Sequence, residues 1–433
     1  MKANKNFKIL FAIILCFSQV VFAGGTHRSS MFGAKTNALG GMYYAGIDGL
    51  SNSYLNPAGL SFLDGRSFEF SAFIKSEENT FESKLSGLHR SFYEDDVNGG
   101  LGFYWSLGEG FTVAFSFESI YDYRVNWPYV LVSTRGTTSD VSASDMSCQI
   151  QYNNFTPAVG YKLGSLAVGL AANIISVNEK ISFAQSNYDW FETGNNLPVY
   201  QMDLSNDGLI WNLNLGLMYR LNEDWRIGLT LSNGAEEKLS GDAKSKMFEE
   251  VDSLYGSTGS ESNYQIPWTI GVGCVYRLNE ILTFNLDMKY SLYKNLDEVI
   301  EYTFDNKTLQ NKYSPVDSIT GYSSGQVPQY FDNSIDIAAG VDIKAYDDFN
   351  VLLGYRYSAS PNSEKTYSML NPSVNQHMFS LGFSYFDEEF ILDGSVVYYT
   401  GKEKSITENP VALHNGIYDA QGFIPGLTIK YKF

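Results

Sequence analysis

The sequence predicts an all-β fold: a 14-stranded antiparallel transmembrane β-barrel, its lumen plugged by a small, partly helical N-terminal hatch. Three observations carry the prediction. Stretches of about ten residues alternate between apolar and polar side chains with period two. Aromatic residues cluster at the ends of those stretches. The connections between them alternate between short and long.

Composition narrows the field first. Among 433 residues, charged side chains make up 18% and aromatics 15%, which excludes a disordered chain. Thirty basic against 48 acidic residues give a net charge of −18, so a nucleic-acid partner is not expected. Three cysteines cannot staple a chain of this length. The mean hydropathy is slightly negative, which speaks against a helical membrane bundle.

The first element is a leader. Lys2, Lys5 and Lys8 form a basic start, residues 9–17 an apolar run too short to span a bilayer, and Val21-Phe22-Ala23 a small-residue cleavage pattern. We expect residues 1–23 to be a signal peptide cut after Ala23. Cys16 follows Leu15, not a small residue, so no lipoprotein site is expected. Of the remaining thiols, Cys148 and Cys274 read as free and packed against apolar neighbours.

Residues 24–63 lack the period-two pattern. Small residues dominate, and Asn56 before Pro57 favours an extended or turn conformation. A 14-stranded barrel is too wide for its own side chains to fill, so a compact segment of this kind fits as a plug.

Residues 64–433 form the barrel. In residues 282–292, Leu282, Phe284, Leu286, Met288, Tyr290 and Leu292 share one face, and Thr283, Asn285, Asp287, Lys289 and Ser291 the other. Trp211, Leu213, Leu215, Leu217 and Tyr219 alternate with Asn212, Asn214, Gly216 and Met218 in the same way, as do Ile335, Ile337, Ala339, Val341 and Ile343 with Ser334, Asp336, Ala338, Gly340 and Asp342. A soluble sandwich has shorter strands. Trp225, Tyr219, Tyr276, Tyr290, Tyr385, Tyr398 and Tyr431 sit where interfacial girdles belong.

Six short turns are expected at residues 107–110, 163–165, 221–224, 278–281, 344–348 and 386–389. Seven long loops are expected at 75–98, 125–143, 178–206, 233–263, 295–332, 359–373 and 401–419. Thirteen connections make 14 strands, with both ends of the barrel on the short-turn, periplasmic side. Phe423, Leu427, Ile429, Tyr431 and Phe433 share a face in the final strand. Phe433 resembles the terminal aromatic that such barrels present to their assembly machinery; a plain edge strand is the simpler alternative.

Ala38-Leu39-Gly40-Gly41-Met42 and Asn56-Pro57-Ala58-Gly59-Leu60 resemble the N-terminus of the outer-membrane long-chain fatty acid (FadL-type) transporter family, also called the hydrocarbon transport family. The resemblance continues through residues 213–219 with Arg226-Ile227-Gly228-Leu229, through residues 266–273, and through Leu381-Gly382-Phe383 with Leu392-Asp393. Lys35, Asn37, Asp48-Gly49 and Leu352 depart from the family's pattern.

The resemblance implies passive uptake of hydrophobic compounds such as long-chain fatty acids or hydrocarbons. It implies an apolar lumen pocket, movement of the hatch, and lateral exit through the wall at a kinked third strand. Asn56, Pro57, Ala58 and Gly59 would form the hatch motif; by itself Asn56 reads equally as a turn starter or helix cap. The third strand, near residues 111–122, would turn Thr112, Ala114, Ser116 and Glu118 to the lumen. Arg226, Arg277, Lys289 and Arg356 would bind a carboxylate head group, or else pair with lumen acids such as Asp287, Asp336 and Asp342.

Enzyme chemistry finds no footing. His27, His89, His377 and His414 form no His-Glu-x-x-His pattern. Gly321-Tyr322-Ser323-Ser324-Gly325 matches a nucleophile elbow but falls inside a long loop. Cys148 and Cys274 have no metal-ligand spacing. Glu77-Glu78 and Glu249-Glu250-Val251-Asp252 read as solvated faces. We expect no cofactor and no metal. The expected partners are a hydrophobic small molecule and outer-membrane lipids, with the protein a monomer. A non-transporting scaffold or shuttle for secreted proteins, and an open porin, remain as alternatives.

Overall fold

In the computed structural model, residues 32–84, 89–127, 130–134, 137–141, 146–186, 199–247, 257–307, 326–328, 330–367, 372–408 and 415–433 are described. The expected leader, residues 24–31, His414, the Gly321–Gly325 motif and the acidic run at 249–252 lie outside them.

A period-two side-chain pattern makes a ribbon with one wet and one greasy face, and fourteen such ribbons close here into one cylinder. Its first six strands are continuous: β1 (Arg66–Ser83), β2 (His89–Gly108), β3 (Phe111–Trp127), β4 (Met146–Leu163), β5 (Leu166–Ser186) and β6 (Val199–Arg220). The next three come in two pieces each: β7 (Trp225–Ser232 and Ala235–Met247), β8 (Ser257–Ile266 and Thr269–Arg277) and β9 (Leu282–Ser291 and Val299–Phe304). Then follow β10 (Ser334–Tyr346), β11 (Phe349–Ser358), β12 (Gln376–Phe386), β13 (Phe390–Gly401) and β14 (Gly416–Lys432). Each pairs antiparallel with the next, and β14 pairs with β1, from Ser67 opposite Lys432 to Ser83 opposite Gly416. Closure joins the last strand to the first, so that the sheet has no terminal edge strand.

The faces sort as the sequence requires. On β6, Trp211, Leu213 and Leu215 are 63%, 41% and 47% exposed, while Asn212 and Asn214 are 1% and 3% exposed. Leu286 and Met288 likewise face outward. The outer face of the wall is apolar and therefore faces lipid. Aromatic contacts mark its borders, including Trp225 stacked on Tyr276 at 4.3 Å and Tyr398 against Phe423 at 4.8 Å.

Several expected loops are strand. Residues 75–83 and 89–98 belong to the β1–β2 ladder, with Lys75 opposite Asp96 and Glu82 opposite His89. Much of 178–206 and 233–263 is also ladder. A membrane strand needs only about 9–11 residues. Beyond that length these ribbons leave the lipid, the outer face turns polar, and the apolar dyads fade from the sequence while the hydrogen bonds continue.

Residues 32–63 occupy the lumen. Helices α1 (Ala34–Ala38) and α2 (Ser51–Leu55) are five residues each, and a 3₁₀ turn follows at Pro57–Phe62. Such short helices do not persist alone, so the wall holds them. It does so from all sides: Ala34 N donates to Thr428 Oγ1 of β14 (2.8 Å), Leu50 N to Glu69 Oε2 of β1 (3.0 Å), and Tyr44 N to Asp287 Oδ1 of β9 (2.8 Å). Lys35 pairs with Asp342 of β10 at 2.7 Å. The fit is close against bare backbone. A Cβ on Gly169 of β5 would lie 2.2 Å from Ala58 N, and one on Gly354 of β11 would lie 2.4 Å from Gly40 N.

Candidate functional site

The lumen is layered, and each layer follows from which inward-facing residues the strands supply. At the short-turn end Lys430 of β14 pairs with Asp48 of the lumen segment and, at 2.9 Å, with Asp393 of β13. Thr36 donates from N and Oγ1 to the same Asp48 carboxylate. Burial opposes charge on Asp48, but the Lys430 ammonium, the Thr36 hydroxyl and Lys35 outweigh it and hold the carboxyl below the usual aspartate range.

Asn56 organises the middle of the segment. It sits extended ahead of Pro57, its Oδ1 accepts from Ala58 N, and its Nδ2 donates to Tyr44 O (2.7 Å) and to Leu217 O of β6 (3.1 Å). The cap and the wall contact are thus made by one side chain. Pro57 supplies a helix-ready φ with no N–H to lose. Ala58 and Gly59 are buried, and there is no room beside Gly59 for more than hydrogen, because the Asn52 amide lies against it.

Above the segment lies a cavity of about 40 Å³, room for a few waters. Its walls are polar: Asn173, Asn214, Thr230 and Ser232 on one side, Lys289 and Arg356 on the other, with Tyr44, Tyr54 and Leu55 as floor. An amide ladder backs the first side, Thr156 to Asn173 (3.1 Å), Asn173 to Asn212 (2.9 Å) and Asn212 to Ser232 (3.0 Å). On the second side Asp336 meets Lys289 Nζ at 2.7 Å and Arg356 Nη2 at 3.4 Å. Asp336 is thus shared by two cations. Arg356 is 2% exposed, and its Nε and Nη2 have no hydrogen-bond partner. Buried donors left open in this way are costly.

Apolar side chains take over toward the long-loop end. Tyr152, Ile175, Val177, Ile210, Leu239 and Ile266 form a cluster against which Tyr54 packs. Phe81, Phe92, Val125, Trp127, Tyr367 and Tyr418 form another, which also contains Cys148. A small chamber with polar side walls thus lies below packed apolar clusters.

The four predicted cations separate. Lys289 and Arg356 line the cavity. Arg226 lies beneath the segment, with Nε donating to Ala45 O at 3.2 Å. Arg277 is not in the lumen: as the last residue of β8 it projects past the wall to Asp224 at 3.2 Å, 47% exposed. Thr112, Ala114, Ser116 and Glu118 are all buried on the lumen side of β3. Above them the register shifts between Ser119 and Tyr121. This one-residue bulge swaps the faces, so that Val125 and Trp127 become the buried positions. The β2–β3 ladder stops there, at Gly100 opposite Glu118. Three of the four predicted exit residues therefore lie in the laced part of the wall, and Glu118 marks the last rung.

Of the remaining candidates, His89 is exposed, and His377 Nδ1 lies 2.8 Å from Tyr355 Oη on the outer surface. Cys148 and Cys274 are free thiols. Among the described residues no three His, Cys, Asp or Glu side chains converge as a metal site would require.

The profile of one family, the outer membrane protein transport proteins (OMPP1/FadL/TodX), matches residues 14–433. The chain belongs to this family. It is accordingly an outer-membrane transport protein. No curated protein sequence matches it. Solved structures with the same barrel include a FadL homologue of Pseudomonas aeruginosa, 15% identical, with a TM-score of 0.73 over 95% of this chain and 100% of that one. The toluene transporter TodX of Pseudomonas putida is 13% identical, with a TM-score of 0.71 over 94% and 99%. The monoaromatic hydrocarbon channel CymD is 14% identical, with a TM-score of 0.68 over 94% and 99%. At this identity the likeness is one of fold.

Proposed function

We propose that this FadL-type barrel passively takes up amphipathic hydrophobic compounds, long-chain fatty acids or molecules of that build, across the outer membrane. One observation carries the reading: the buried Arg356 guanidinium, with open donors, faces a polar cavity directly beneath an apolar cluster. An anionic head fits beside Arg356 and Lys289, in charge-assisted hydrogen bonds, and its tail fits among Ile175, Ile210, Leu239 and Ile266. The lumen segment acts as the hatch. It needs two packings that differ by only a few kcal/mol, because a ligand shifts an equilibrium only by its differential affinity. Exit is sideways, at the β2–β3 seam, where a hydrophobic solute passes into lipid without crossing water. A gradient suffices to drive it. The packed lumen weighs against an open porin.

The test is binding of oleate and of hexadecane to purified protein and to Arg356→Leu. Oleate should bind the parent at least about tenfold more tightly than the variant, the loss of one charged hydrogen bond, with hexadecane little changed. Equal oleate binding to both removes the head-group site. Native mass spectrometry of gently purified protein should find a co-purified amphiphile.

A further inference from the structure

Above the rung formed by Gly100 and Glu118, β2 and β3 form no backbone ladder among the described residues, although β2 stays laced to β1 as far as His89 and β3 to β4 as far as Met146. The seam opens where the outer face is still apolar, at exposed Ile74, Leu101 and Phe117, and gives way higher up to Tyr93 and Asp95. Unpaired backbone is expensive against lipid, so a seam at this level must be covered or held shut by side chains.

Among the described residues, a ring contact and an ion-pair cluster cross it. The Phe92 and Trp127 rings meet edge to face at 4.8 Å on the lumen side. Arg124 Nη1 lies 2.9 Å from Glu94 Oε1 and 3.8 Å from Asp96 Oδ1. The bulge at 119–121 sets this up. It turns Val125 and Trp127 inward, and Arg124 beside them reaches two carboxylates on β2, Glu94 and Asp96, which alternate with exposed Tyr93 and Asp95. The side chains are 27%, 15% and 3% exposed for Arg124, Glu94 and Asp96, so the pair is only partly screened by water. Glu94 and Asp96 are two residues apart on one face of the strand and repel each other. Arg124 from β3 and Lys75, opposite Asp96 on β1, both offset that repulsion, and Arg124 is the one that does so across the seam.

We propose that Arg124 is the clasp of the lateral exit. Bound to Glu94 and Asp96 it holds β2 against β3, and on release the apolar threshold of Phe92, Val125 and Trp127 faces lipid. The inference rests on the reading of this barrel as an uptake route with a side exit, and adds the residues that keep that exit shut. Arg124 acts by positioning the strand and need not touch the solute.

The experiment uses the full chain in nanodiscs, with Cys148→Ala and Cys274→Ala as background and nitroxides on Tyr93→Cys and Asn126→Cys. Pulsed-dipolar distances should lengthen and broaden for Arg124→Gln and for Glu94→Gln with Asp96→Asn, and return toward the parent for Arg124→Lys. Distances that do not change on loss of Arg124 overturn the clasp, whatever the transport result. Uptake of radiolabelled oleate by cells carrying the chain is the second readout, and it should rise several-fold for Arg124→Gln. Lengthened distances with no oleate uptake even by the parent support the clasp and sink the transport reading instead.

Discussion

Lys430 of the last wall strand is ion-paired to Asp48 of the lumen segment, 382 positions away along the chain, and the contact is almost fully buried. With Asp393 on its other side, the ammonium ties the segment to the seam at which the cylinder closes.

Lys430→Met should loosen the segment without unfolding the wall. Removing one member of a buried pair leaves its carboxylate partners uncompensated and costs about 3–5 kcal/mol. The expected result is raised ion conductance in planar bilayers from a barrel that still migrates as folded on a gel. Parent-level conductance would show that the ammonium does not hold the segment.

The same pair has a pH signature. Because the docked Asp48 carboxyl is held below its ordinary range, its contribution is fully present above about pH 4, the unfolded aspartate value. It is lost as the pH falls through the lower, docked value. Lys430, Lys35, Glu69 and Asp393 are the charged groups that face it. Conductance should therefore stay low near neutrality and rise only in strong acid, and Asp48→Asn should be leaky already at pH 7. Identical pH profiles for the two proteins would contradict this.

Asn56→Ala should release the middle of the segment. It strips the donor from Tyr44 O and Leu217 O and the acceptor from Ala58 N. Roughly 2 kcal/mol, or about 30-fold in the opening equilibrium, is expected. Hydrogen exchange of the amides between Tyr44 and Ser61 measures it directly. Asn56→Asp keeps only the Ala58 cap and sets a charge against two carbonyls, so its exchange should be at least as fast as that of the alanine variant.

Gly354→Val should expel the first turn of the segment, since even a Cβ at that position lies 2.4 Å from Gly40 N and 2.5 Å from Ala38 O. Backbone on both sides leaves nothing flexible to yield. Increased protease cleavage near Gly40 in a folded barrel is the expected readout.

How far the sequence could be read varies along a single strand. Within the lipid, Leu286 and Met288 alternate with Asn285 and Asp287, because two solvents act on two faces, and the fourteen strands can be counted from that pattern. Outside it, Glu77 and Glu94 face each other in a ladder that looks like loop, since lipid no longer imposes an apolar outer face. The bulge near Ser119 displaces the pattern by one residue, and no local signal announces it. Lys289 and Arg356 were visible as lumen cations. Their shared Asp336, and the open donors on Arg356, depend on how β9, β10 and β11 align. The Asp48–Lys430 pair has no local sequence trace, because it is fixed only when the cylinder shuts.

The breaks in β7, β8 and β9 share one height: Trp268 lies over Gly234, and Leu292 N donates to Trp268 O at 2.9 Å. Three neighbouring staves notched at one level amount to a crease. The tall rim above can tilt, lengthen or be rebuilt by insertion while the cask below keeps its hoops. Descendants of this chain are therefore free to change what they catch at the mouth without relearning how to assemble in the membrane.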